Sequence, residues 1–265
     1  MIRRAFAWIG SELFPQGSDF RPESPDVMLV SYPKSGNTWV RALVAYLVGE
    51  QRTLKEMDHL VPDIYTCRGA VLRNAYRFPC SGRLIKSHES FRPTYKRIIY
   101  VVRDPRDVCV SYYHFLGGIL RTLDPESTGL DEFANRFVAG DVDDYGTWGE
   151  HAGSWLTAER ADFLTIRYED LLAGAEQCLV RICDFLGLEC DESAISNAVE
   201  NCSIARLRSK EASERTVWHP IRKADASAAF FREGGSSARN NLDQASVDRI
   251  CDAWRQQMEA FGYLP

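Results

Sequence analysis

An apolar strand that runs into Ser31-Tyr32-Pro33-Lys34-Ser35-Gly36-Asn37-Thr38-Trp39, and from there into a helix, constrains this chain more than any other stretch. Val27-Met28-Leu29-Val30 is short, apolar and β-branched at its ends, the pattern of a strand buried in a parallel sheet. Beyond the loop, Val40, Leu43, Val44 and Leu47 recur at helical spacing. The loop therefore opens a helix N-terminus, where unpaired N–H groups and the macrodipole attract an anion. In nucleotide hydrolases the lysine of such a loop directly follows the second glycine, beside a magnesium-binding Ser or Thr. Here Asn37 follows Gly36, and the cation comes earlier, at Lys34.

The 265 residues suit one large α/β domain, with 45% hydrophobic and 26% charged residues in globular proportion. A formal net charge of -5 argues against a general nucleic-acid binder but leaves room for a local basic pocket. Eight cysteines form no Cys-x-x-Cys pair, and no His cluster has metal-ligand spacing, so they read as packed, reduced thiols of a cytoplasmic protein and no metal site is expected. Residues 1–25 read as an N-terminal extension: Phe6, Trp8, Ile9 and Leu13 fit a short amphipathic helix, and Pro15 to Pro25 a linker. No window reaches membrane-spanning length, so no integral membrane segment is expected.

Three further strand ends carry polar residues. Arg83-Leu84-Ile85-Lys86-Ser87-His88-Glu89 places Lys86 and His88 at the same parity, so both point to one side. Ile98-Ile99-Tyr100-Val101-Val102 ends at Arg103-Asp104-Pro105, with Pro105 suited to the first turn of a helix that carries Ser111 about two turns on. Arg103 and Ser111 then face the crevice at the C-terminal ends of the strands, where α/β sheets bind ligands. The plainer alternative pairs Arg103 and Arg106 with Asp104 and Asp107 on a solvated turn. Phe163-Leu164-Thr165-Ile166-Arg167 runs into Tyr168-Glu169-Asp170 as a further strand and helix.

The loop at Tyr32 to Trp39 resembles the 5′-phosphosulfate loop of the sulfotransferases that use 3′-phosphoadenosine-5′-phosphosulfate (PAPS), from which only Asn37 departs. The segment Tyr100 to Phe115 is similar to that family's 3′-phosphate motif. The resemblance implies a single domain over residues 1–265, with a central mainly parallel sheet flanked by helices in a P-loop-like architecture. It implies that Lys34, Ser35, Gly36, Asn37, Thr38 and Trp39 hold the donor's 5′ end and adenine. By the same likeness Arg103 and Ser111 take the 3′-phosphate, Tyr168 lines the adenine pocket, and Lys86 and His88 act in catalysis with Lys34, His88 as general base. The product would be adenosine 3′,5′-bisphosphate (PAP), with no metal needed.

Near the C-terminus the likeness loosens. Phe230-Phe231-Arg232-Glu233-Gly234 keeps the family's Arg232 and Gly234, but Glu233 stands where a lysine is usual and a following tryptophan is missing. A carboxylate there repels a phosphate unless it turns away or pairs with Arg232, Arg239 or Arg222. Residues 210–241, rich in Ser, Ala, Gly and charge, read as a mobile lid. Val247, Ile250, Cys251, Trp254, Met258 and Phe261 make the stripe of one C-terminal helix. The function expected is sulfuryl transfer to a small-molecule phenol or alcohol, with Tyr65, Tyr76, Phe78, Phe115 and Tyr145 near the acceptor; the oligomeric state is open. The rivals are a P-loop phosphotransferase using ATP, which would want Gly-Lys-Ser/Thr where Gly36-Asn37-Thr38 stands, and a non-catalytic nucleotide-binding regulator.

Overall fold

In a computed structural model of the protein, the residues described are 20–49, 53–67, 69–79, 81–156, 162–221, 224, 227–232 and 238–265. The expected N-terminal amphipathic helix, Cys80, Arg222, Glu233 and Gly234 lie outside them. The expected strands form as β1 (Val27–Val30), β2 (Leu84–Ser87), β3 (Arg97–Val102) and β4 (Asp162–Arg167). They lie in the order β2-β1-β3-β4, and every pairing is parallel. Val27 is level with Leu84 and Arg97, and Val102 is level with Arg167. All four C-terminal ends therefore open on one edge of the sheet.

Alternation along β1 sends Val27 and Leu29 into one apolar layer and Met28 and Val30 into the other, which is why the strand has no polar face. The first layer packs on α1 (Asn37–Gly49), through Val40, Leu43 and Val44, and receives Trp218 and Phe231 from the C-terminal region. Removing a fully buried side chain such as Leu43 would cost about 2–5 kcal/mol. After α1 come α2 (Leu54–Leu60), capped reciprocally by Thr53 and Glu56, and α3 (Ala70–Arg73). Pro105 opens α4 (Pro105–His114), with Asp104 as its N-cap, and the helix passes into a π-helical turn over Phe115–Leu120. The rest of the shell is α5 (Leu130–Ala139), α6 (Trp148–Leu156), α7 (Tyr168–Ala173), α8 (Ala175–Leu186), α9 (Glu192–Asn201) and α10 (Ile204–Ser213).

The single C-terminal helix expected from the apolar stripe is two: α11 (Gln244–Ala253) and α12 (Arg255–Ala260). The chain leaves helical geometry at Trp254, with φ -134° and ψ 30°. There the indole lies against α6 so closely that a Cβ on Gly149 would sit 2.1 Å from its Cδ1. Periodicity carried no sign of that steric demand. Within the segment expected as a lid, Trp218 and Phe231 are buried and stack on one another at 6.0 Å. From α10, Glu211 accepts the backbone N–H groups of Phe230 and Phe231, and Arg208 donates to the Phe231 carbonyl. Among the described residues no helix is long and apolar enough to cross a membrane.

Candidate active site

The loop between β1 and α1 curls because Lys34 and Gly36 both adopt left-handed backbone, with φ 67° and 99°. Such a curl gathers successive N–H groups into an anion-binding concavity at the start of a helix. Gly36 admits no side chain: a Cβ there would stand 2.4 Å from the Tyr168 ring. Ser35 is fully buried, and its Oγ meets no hydrogen-bond partner among the described residues, as a group reserved for a ligand oxygen would. Asn37 turns its side-chain amide to the preceding strand. Its Nδ2 donates to the Leu29 carbonyl and to Ser31 Oγ, both at 3.2 Å, and so staples the helix start to the strand. Its Oδ1 is buried without a partner among the described residues, and Thr38 follows half-buried in the first turn.

Lys34 Nζ lies 4.1 Å from the Phe115 ring centre and 4.4 Å from that of Phe230. Burial, then the positive charges of Arg103 and Arg232, push its pKa down to about 7. The two aromatic faces offset part of that desolvation, and an arriving anion would reverse it.

At the end of β3 the two readings of the arginines divide. Arg106 pairs with the fully buried Asp104 at 2.6 Å, and Arg239 pairs with the same carboxylate. Arg103 instead lays its guanidinium 4.3 Å over the Tyr168 ring and donates Nη1 to the Lys34 carbonyl at 3.2 Å. Ser111 is half-buried on α4, so the loop and helix carry both groups without joining them directly. Tyr168 begins α7 at the end of β4 and meets Trp39 edge to face at 6.0 Å. The Trp39 indole N–H is held by the Cys202 carbonyl at 3.0 Å, which brings the turn after α9 to this aromatic corner. That turn carries no motif and was not expected here. Arg232 is exposed.

His88 and Lys86 leave β2 on the other side of the loop. His88 Nδ1 is 2.7 Å from the Ser31 carbonyl, which can only accept, so Nδ1 carries the proton and Nε2 the lone pair. Burial first, then the Lys86 charge, holds the imidazole pKa well below its usual value, so the ring is neutral at pH 7. Tyr65 stacks on it at 6.0 Å, with its hydroxyl accepting the His88 N–H, and Tyr145 stands edge-on at 5.6 Å. Phe115 thus lies by Lys34, and Tyr65 and Tyr145 by His88, whereas Tyr76 and Phe78 meet edge to face at 5.0 Å within the apolar layer that packs on α1. Lys86 Nζ donates to Asp63 Oδ2 at 2.7 Å. Asp63 lies in no recognisable motif.

The model of the family described as Sulfotransferase domain matches residues 24–262. Sulfotransferase 2B1 of Homo sapiens is 29% identical over 254 residues, covering 91% of this chain and 68% of its own. The 3-beta-hydroxysteroid sulfotransferase of Cavia porcellus is also 29% identical, over 278 residues, covering 100% of this chain and 94% of its own. Among solved structures, mouse sulfotransferase SULT7A1 complexed with PAP superposes with a TM-score of 0.71 at 24% identity, covering 97% of this chain and 92% of that one. Retinol dehydratase in a complex with retinol and PAP has a TM-score of 0.70 at 20% identity, covering 97% and 86%.

Proposed function

This chain belongs to the sulfotransferase domain family, and from that premise we propose that it moves a sulfuryl group from PAPS to the hydroxyl of a small phenol or alcohol, with His88 as general base. One observation carries the assignment of the base: a neutral imidazole whose Nδ1–H is committed to the Ser31 carbonyl, leaving Nε2 to take a proton. Ser31 belongs to the donor loop itself, so the same backbone that cradles an anion also sets the histidine's tautomer.

When bound, PAPS supplies the sulfuryl group and a 5′-phosphate leaving group. The residues present suit it: the curled loop, the unpartnered Ser35 hydroxyl and Lys34 would take the 5′ end, and Trp39 with Tyr168 would flank the adenine. Arg103, preset by stacking on Tyr168, would take the 3′-phosphate with Ser111, because a guanidinium fork matches two phosphate oxygens. Arg232 would border that phosphate. Lys34 and Lys86 would stabilise charge on the transferring and departing oxygens. His88 Nε2 would take the acceptor hydroxyl's proton as that oxygen receives the sulfuryl group. Tyr65 and Tyr145, flanking His88, suit a flat or apolar acceptor, in keeping with the hydroxysteroid named for one relative.

The test is thermal stabilisation by PAP in the presence of a chelator, beside ATP with magnesium. At about 100 times the dissociation constant, PAP should add about 2.7 kcal/mol. That shift should vanish in Arg103→Ala. Stabilisation by magnesium ATP alone would overturn the reading, and so would a wild-type protein that binds PAP yet transfers no sulfuryl group to any of a panel of phenols and hydroxysteroids.

A further inference from the structure

Resting on the proposed role of Lys86 in sulfuryl transfer, we propose that Asp63 is a positioning residue that holds the Lys86 ammonium in place and keeps it charged for the reaction. The geometry is built for this pair. Residues 62–64 run alongside β2: Lys86 N–H donates to the Pro62 carbonyl at 2.8 Å, and Ile64 N–H donates to the Lys86 carbonyl at 3.2 Å. Asp63 thereby lies opposite Lys86 in a parallel bridge, and residues so paired send their side chains to the same side of a sheet. The carboxylate is itself fixed, with Oδ1 accepting the Tyr65 N–H at 2.9 Å and Oδ2 accepting from Lys86 Nζ. The two side chains are only 10% and 9% exposed.

A lysine buried to that degree loses its proton unless a partner holds it. The charged groups around Lys86 can be named. Asp63 from the bridge segment attracts; Asp58 on α2 attracts too, but it is matched by Arg41 on α1, which donates to it at 2.7 Å. Lys34 and His88 face it from the loop and from β2, and Tyr65 offers a ring face at 5.1 Å. Asp63 is thus the counter-charge in direct contact. One N–H of the ammonium goes to Asp63, and two remain for the reacting oxygens. Burial lowers the Lys86 pKa, and the Asp63 charge with its hydrogen bond opposes that fall.

The experiment is Asp63→Asn, which keeps the side-chain volume and an oxygen for Tyr65 N–H. Turnover would be followed against pH with PAPS and an accepted phenol, and the Lys86 amine titrated by 13Cε NMR in the donor-free protein. The alkaline limb of turnover and the NMR midpoint should both move down by about one pH unit or more, giving about a tenfold loss near pH 8 and much less near pH 6. PAP stabilisation should be unchanged. In a Lys86→Arg background, where the charge is permanent, Asp63→Asn should shift no limb. A loss of turnover that is uniform with pH, or an unmoved Lys86 titration, would overturn the proposal. Should the wild type transfer no sulfuryl group, the proposed function fails on that observation, while the NMR titration still decides what Asp63 does to Lys86.

Discussion

The loop after β1 and the end of β2 each present a lysine at the same edge of the sheet, but they are furnished differently. Lys34 sits between the rings of Phe115 and Phe230, with positive neighbours and a pKa near 7. Lys86 sits on a carboxylate. Rings soften desolvation without supplying a full charge, whereas Asp63 supplies one. The contrast implies a division of labour. On the proposed function, Lys34, whose charge an arriving anion would restore, would hold the donor as well as aid its transfer, whereas Lys86, held by Asp63, would act in the chemical step.

The largest effects should fall on the Lys86 side. Lys86→Met should lower turnover by about 10²–10³-fold, and His88→Ala by about a hundred-fold or more, with PAP stabilisation intact in both. Equal losses of PAP binding and turnover would erase the distinction between the lysines. Lys34→Met should weaken PAP itself, besides any loss of turnover, by about ten- to a hundred-fold, the worth of a charge-assisted bond of about 1.5–3 kcal/mol.

A finer probe is pH. Because an anion favours the protonated amine, PAP binding should draw a proton onto Lys34 above pH 7, and affinity should be level below about pH 7 and fall above it. The fall should reach at most about tenfold per pH unit, and Lys34→Arg should flatten it. Calorimetry in buffers of different ionisation enthalpy reads the proton directly; no uptake at pH 8 would refute the caged state of Lys34. The smallest effect concerns the staple under the loop. Asn37→Thr gives up two hydrogen bonds to Leu29 and Ser31, so the melting temperature should drop by the equivalent of about 1–2 kcal/mol, with PAP affinity changing only a few-fold.

The frame of the proposed donor side was legible because its residues are contiguous. A buried strand, a glycine-bearing turn and an amphipathic helix put Lys34 through Trp39 at one helix start, and Arg103 sits at a strand end followed by Pro105. Local sequence carries such units because strand and helix geometry fix where their ends point. The partners were not legible. Asp63 reaches Lys86 through an edge bridge 23 residues away, and Glu211 reaches Phe230 from 19 residues before it. Neither contact has a period or spacing to betray it. The same holds for Trp254, whose break in the C-terminal helix answers to Gly149 on a distant helix. Asn37 departs from the family loop at a position where an amide can reach back to the preceding strand, a role that only coordinates disclose.

The stacking of Trp218 has a practical reach. Its indole meets Phe230 edge to face at 5.1 Å and lies 7° from parallel with Phe231, and Phe230 is one of the rings over Lys34. Ligand arrival at that lysine must be felt one ring away by a fluorophore already in the chain. Trp218 is therefore placed as an optical reporter, through which donor entry could be timed by stopped-flow emission, with Trp218→Phe separating its signal from that of the five other tryptophans.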